Sequence, residues 1–281
     1  MSTSTAFSRV VAGVSTMDGR AVARWAAEEA ITRHAELRLV TARPAPDRHP
    51  NSIAHANRAT ERLVGIAGEL ASGWPGLAVT AQVVTGPPAA VLRAEAQYAD
   101  LLVVGADDGS PFTEAFNGSV PGDLVATAPC PLVVVPRREW TTPASAPVVV
   151  ALDESATSQA ALAYAYATAQ RTGRPLTVMR CVTREQLDRA VGTVQALLHV
   201  ALAELYPTVA VTTEVTTGDP RHVLGAASRR AALLVLGSRG HGRFAAGLFG
   251  SVSRYLIRRG GCPVVVARTQ PTSLVLSSRA L

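Results

Sequence analysis

The chain has 281 residues, 48% of them hydrophobic and 5% aromatic, which is enough apolar material to fill one large core or two ordinary ones. No apolar run reaches the roughly 18 residues of a membrane span, and the opening MSTSTAFSRVVAGVS lacks the build of a signal peptide, so a soluble cytoplasmic protein without membrane partners is expected. Cys130, Cys181 and Cys262 stand far apart with no CxxC and no nearby histidine cluster, which argues against a disulfide framework or a zinc site.

In chain order, the runs RVVAGV (9–14), LRLVTA (37–42), VTAQVV (79–84), DLLVVG (100–105) and PLVVVP (131–136) have strand length and β-branched content. Between them lie Ala-rich stretches such as RAVARWAAEEAITRHA (20–35), with apolar residues at helical spacing. Continuous apolar strands alternating with helices predict a parallel sheet covered on both faces.

The pattern then repeats. VVTGPPAAVLRAEAQYADLLVVGADDG (83–109) is answered by EVTTGDPRHVLGAASRRAALLVLGSRG (214–240), and Gly86, Gly105, Gly118 and Cys130 each have a counterpart 132 residues later. The openings RVVAGVSTMDG and PVVVALDESAT match at an offset of 138, with Ser15 opposite Asp153, so the first copy carries six extra residues, assigned most simply to 44–57. Two homologous α/β domains are expected, each a doubly wound five-stranded parallel sheet: residues 1–138, a linker at 139–146 rich in Pro, Thr and Ser, and 147–281.

Charge is distributed unequally. No Asp or Glu follows Asp219, whereas residues 220–281 hold ten arginines, so this stretch carries +10 and the remainder −4 of the net +6. Such a one-sided segment favours an anionic partner. Its centre is GSRGHGRFAAGLFGSVS (237–253), which follows the fourth strand of the second copy and leads into the amphipathic SRYLIRR, with Gly260 and Gly261 as a stop. The first N–H groups of a helix lack internal partners and carry partial positive charge, while upstream glycines let backbone approach phosphate closely. A phosphate cradle is the expected product. It is not a P-loop, which requires lysine, because the chain contains none. The fragment GHGRFA matches a dinucleotide fingerprint but lies after the wrong strand and has no acid downstream to hold a ribose.

What remains is the spacing G-x-x-G, nine residues, then G-S, at Gly237, Gly240, Gly250 and Ser251. With the VALDES opening and the CPVVV final strand, this resembles the universal stress protein family in its tandem two-domain form, over nearly all of both halves. The resemblance implies an adenine nucleotide, ATP with or without Mg²⁺. It assigns Asp153 and Ala151 to the adenosine, Cys181, just after the second strand, to the adenine through its backbone, and Gly237, Ser238, Gly240, Gly250, Ser251, Val252 and Ser253 to ribose and phosphates. Arg239, His241 and Arg243, with Gly242 between them, supply counter-charge and close backbone approach. Read from the residues alone, Asp153 has two candidate roles: accepting a ligand hydrogen bond at a strand's carboxyl end, or capping the helix that starts near Ser155.

The same positions in the first copy differ. Ser15 replaces the aspartate, Asp108 replaces the second glycine and Pro121 replaces Ser253. Asp107 and Asp108 place negative charge where phosphates should lie, and Pro121 removes an N–H. The first domain is therefore expected to be degenerate, with nucleotide bound only by the second. No nucleophile–base spacing is evident, so a regulatory ATP-binding protein, at most a slow ATPase, is expected rather than a committed enzyme. The alternatives are a nucleotide-free structural protein and a nucleic-acid binder using the basic second half, the latter disfavoured by the scarcity of aromatic residues. The fifth strands are candidate sheet edges, and the family resemblance pairs them as an internal pseudo-dimer; a homodimer of the tandem chain is compatible with this.

Overall fold

The computed structural model describes residues 8–15, 19–43, 50–107, 119–137, 140, 142–153, 155, 157–187, 209–238 and 250–268, with backbone alone for 50–56. The first half runs β1 (Arg9–Gly13), α1 (Gly19–Thr32), β2 (Glu36–Arg43), α2 (Pro50–Gly73), β3 (Val79–Thr85), α3 (Pro88–Glu95), β4 (Leu101–Gly105), α4 (Val120–Thr127) and β5 (Leu132–Val135). The second runs β6 (Val148–Leu152), α5 (Thr157–Thr172), β7 (Leu176–Val182), β8 (Val211–Thr217), α6 (Pro220–Ser228), β9 (Leu233–Gly237), α7 (Ser251–Arg259) and β10 (Val264–Ala267).

All ten strands form one sheet, in the order β3-β2-β1-β4-β5-β10-β9-β6-β7-β8. Every neighbouring pair is parallel except β5–β10, which is antiparallel, so each half is the expected five-stranded parallel unit and the fifth strands join them. The junction pairs Val134 with Val264, Val133 with Val265 and Leu132 with Val266, all essentially without solvent exposure. Alternating strand residues supply two cores. Val10, Ala12 and Val133 face α1 and α5, while Val11, Leu132 and Val134 face the helices of the other side.

The register refines where the two copies differ in length. Val10 pairs with Leu37 and Val148 with Leu176, so the first connection is one residue shorter in the first half. Leu37 pairs with Val79 but Leu176 with Val211, so the second connection is seven longer, and the net difference of six arises from two changes.

Helix α1 buries Val22, Ala23, Ala26, Ala27 and Ala30, a stripe small enough to let its backbone lie close to the sheet. It ends in a Schellman motif: His34 N donates to Ile31 O (3.0 Å) and Ala35 N to Ala30 O (2.9 Å). His34 takes the left-handed conformation, φ 53°, that its counterpart Gly173 takes at φ 64°. The repeated Gly86 and Gly218 have φ 149° and 141°, which explains why both copies keep glycine between the third strand and the next helix.

Side chains also tie the halves together. Glu29 accepts from Arg33 (2.6 Å) and from Arg171 of the second half, and Arg33 donates to the Tyr164 hydroxyl (2.9 Å) while its guanidinium lies 5.5 Å from that ring's centre. Arg268, just beyond β10, reaches back to the Leu124 and Val125 carbonyls at the end of α4. Between β5 and β6, one guanidinium nitrogen of Arg174 collects the carbonyls of Pro143, Ala144 and Ala146 at 2.8–3.1 Å, fixing these residues to the second half.

Candidate nucleotide site

In each half the first strand lies between the second and the fourth, so the chain reverses its winding at the β1/β4 and β6/β9 gaps, the positions where open α/β sheets bind ligands. The second of these gaps carries the candidate site. Gly237 ends β9, and a Cβ there would sit 2.6 Å from Thr157 Oγ1 and 3.3 Å from the Thr157 carbonyl carbon. The strand end therefore abuts the start of α5 with no room for a side chain.

Asp153 follows the last residue of β6. Its Oδ1 accepts from Ser155 N (3.0 Å), Ser155 Oγ and Ser158 Oγ (2.7 Å), and its own N–H donates to Ser158 Oγ (3.0 Å). Of the two roles readable in the sequence, the helix-organising one is the one seen. The carboxylate holds the β6–α5 turn, and α5 starts at Thr157, two residues beyond Ser155. A carboxylate has about four acceptor positions, so this role is compatible with a further contact at the strand end. Ser155 and Ser158 were not singled out from the sequence. The signal available was their spacing from Asp153, typical of serine and aspartate at helix starts.

Ala151 is half-buried within β6, paired with Met179. Cys181 is not beyond the second strand, as expected, but inside it, because the β7 ladder with β8 continues through Cys181–Thr216 and Val182–Thr217. Pairing with β6 stops one residue earlier, at Leu152–Arg180, so the β6 side of Cys181 falls past the end of that strand. Burial, assisted by the Asp219 carboxylate, pushes the Cys181 thiol up to about 11, so it is a protonated thiol at neutral pH. Asp219 is held low, at about 2, by its hydrogen bonds with Arg221, and it caps α6 by accepting from Arg221 N at 2.9 Å.

Gly250 is the N-cap of α7, extended at φ −63°, ψ 153°, with no side-chain hydrogen bond, and among the described residues nothing lies within 4 Å of where a Cβ would project. Ser251, Val252 and Ser253 form the first turn, whose N–H groups have no intrahelical acceptors, and no acid stands among them. Half-buried Ser238 directly follows Gly237. Arg239, Gly240, His241, Gly242 and Arg243 lie outside the described residues.

The first half is built differently at the matching place. Ser119 caps α4 by accepting from Gly122 N (3.1 Å), Pro121 sits in the first turn without an N–H, and Asp123 adds an acid there. At the strand end, a Cβ on Gly105 would meet Val22 Cγ2 at 3.2 Å. Asp107 is half-buried, and Asp108 lies outside the described residues.

The profile of the universal stress protein family matches residues 6–136 and again residues 146–268. The chain belongs to the universal stress protein family. Universal stress protein Rv2005c of Mycobacterium tuberculosis is 28% identical over 284 residues, covering 92% of this chain and 96% of its own. A solved universal stress protein from Archaeoglobus fulgidus covers 94% of the chain and 96% of itself with a TM-score of 0.72 at 18% identity, and it shares the fold. A universal stress protein solved in complex with cAMP is 22% identical and covers 47% of this chain, with a TM-score of 0.37. Among the described residues of this universal stress protein, no helix is long and apolar enough to cross a membrane.

Proposed function

We propose that this universal stress protein is an ATP-binding regulator whose nucleotide sits in the second half alone, with residues 1–138 as scaffold and 147–281 as the ligand-binding unit. One observation carries the reading. The α7 N-terminus opens on Gly250, without a side-chain cap, and its first turn holds no acid, whereas Ser119, Pro121 and Asp123 satisfy, remove or oppose the same interaction in the first half. Phosphates would meet the N–H groups of Ser251–Ser253, reinforced by the helix dipole. Adenine would lie by the backbone of Cys181, and the adenosine by Ala151 and Asp153. ATP would bring any Mg²⁺ on its phosphates. Regulation requires that ATP favour one of two conformations of the chain or of its complexes.

Calorimetric titration with Mg-ATP tests this. One site per chain, abolished by Gly250→Arg, is the expected result. Two sites would overturn the asymmetry, and no heat at millimolar ligand would leave a nucleotide-free structural protein. A steady-state phosphate-release assay on the same sample is expected to show slow turnover at most.

A further inference from the structure

A cavity of about 710 Å³ lies between α3 and α4 of the first half and α7 of the second, and none of the described cradle residues lines it. Its wall carries three exposed arginines, Arg93 from α3 with Arg254 and Arg258 from α7, and one exposed acid, Asp123. Several arginines elsewhere are paired, among them Arg9 with Glu36, Arg38 with Glu95 and Arg221 with Asp219. Among the described residues, Arg93, Arg254 and Arg258 make no side-chain hydrogen bond or ion pair. Arg254 and Arg258 stand one helical turn apart, a like-charge spacing that the helix would not adopt for its own stability.

The repeat shows how the first-half wall of the cavity departs from its counterpart. In the second half, Tyr255 of α7 packs against α6, 3.4 Å from where a Cβ on Gly225 would be and with its ring 6.5 Å from that of His222. The counterparts 132 residues earlier are Asp123 for Tyr255 and Arg93 for Gly225. A filling aromatic has become a short acid, and a glycine has become an arginine. The counterparts of Arg254 and Arg258 are Gly122 and Ala126, which face the arginines from α4 without charge or bulk.

We propose that this groove between the halves is a second anion site, separate from the nucleotide cradle, for a small metabolite bearing a diphosphate or similarly charged group. The volume falls in the range of small-ligand sites, and the lining charge of about +2 suits a compact dianion or trianion. A nucleic-acid strand would need a longer basic track and stacking aromatics, which the groove does not offer.

Inorganic pyrophosphate titrated into the full chain is the probe. One-to-one binding is expected, weakened about tenfold or more by Arg93→Gln or Arg258→Gln. A similar loss is expected from Ala126→Glu, which sets an internal carboxylate in the groove wall. Gly250→Arg should leave pyrophosphate binding intact, and Arg258→Gln should leave Mg-ATP binding intact. Arg93, Ala126 and Arg258 are exposed and Gly250 is half-buried, and an unchanged melting temperature checks that each variant is folded. Three results would overturn the proposal: no pyrophosphate binding at millimolar concentration, binding indifferent to the groove substitutions or lost only in Gly250→Arg, and tighter binding of a single-stranded oligonucleotide that displaces pyrophosphate.

Discussion

Val133 and Val265 face each other across the antiparallel junction, and each is the other's counterpart in the repeat. The pseudo-two-fold axis of the molecule therefore passes through this pair. Both valines are fully buried, so neither half has an exposed fifth-strand edge. Truncating Val265 to alanine is expected to cost about 2 kcal/mol, through lost burial and the space left behind. Because the pair is in contact, the double Val133→Ala/Val265→Ala variant should depart from additivity by about 0.5 kcal/mol or more, measurable as shifts of the urea midpoint.

The Glu29–Arg33–Arg171–Tyr164 cluster makes a second, less symmetric lock between the halves. Replacing Glu29 by alanine leaves two arginines together in a nearly buried position, and a destabilisation of about 3 kcal/mol is expected. Burial raises the Tyr164 hydroxyl to about 12, against the partial opposing pull of Arg33. A raised acid is protonated in the folded chain at pH values where the unfolded chain has lost its proton. Its contribution is therefore complete below about pH 10 and lost as pH rises from 10 towards 12. Tyr164→Phe should flatten that alkaline fall in melting temperature, although it removes the hydroxyl from Arg33.

His34 adopts a left-handed conformation that a side chain disfavours by about 1–2 kcal/mol. The second half already places glycine there. His34→Gly is expected to stabilise the chain by about 1 kcal/mol, and Gly173→Ala to destabilise it by a similar amount. Thermal unfolding of the two variants side by side gives the comparison.

Gly237→Ala would drive a Cβ against Thr157 Oγ1, costing about 1–3 kcal/mol and separating the end of β9 from the start of α5. Mg-ATP affinity should fall with it. Thr157→Ala in the same chain removes the closer obstacle and should recover part of the stability, whereas a loss confined to the ligand's own contacts would not be rescued.

Much of this fold was legible in one dimension. Strands such as PLVVVP and PVVVAR are uninterrupted apolar runs because their sheet is covered on both faces, and the glycines at 86 and 218 recur because both turns need a positive φ. The candidate site was legible less completely. Its glycine spacing is local and survives in the sequence, but the placement of Cys181 depended on how far β8 continues the ladder, which is a pairing between separate segments. Asp153 carried two readings, and its hold on Ser155 and Ser158 became visible only in the folded turn.

The sequence by itself determined that the molecule is a doubled α/β unit with unequal halves, because repeat offsets, strand runs and the substitutions at Ser15, Asp108 and Pro121 all lie along the chain. Only the tertiary structure decided that the halves share one sheet through Val133 and Val265, that Glu29 meets Arg171, and that Arg93 shares a cavity with Arg254 and Arg258. Each of those relationships joins residues more than 130 positions apart, and a one-dimensional pattern carries no information about such contacts until the cores on both sheet faces have closed.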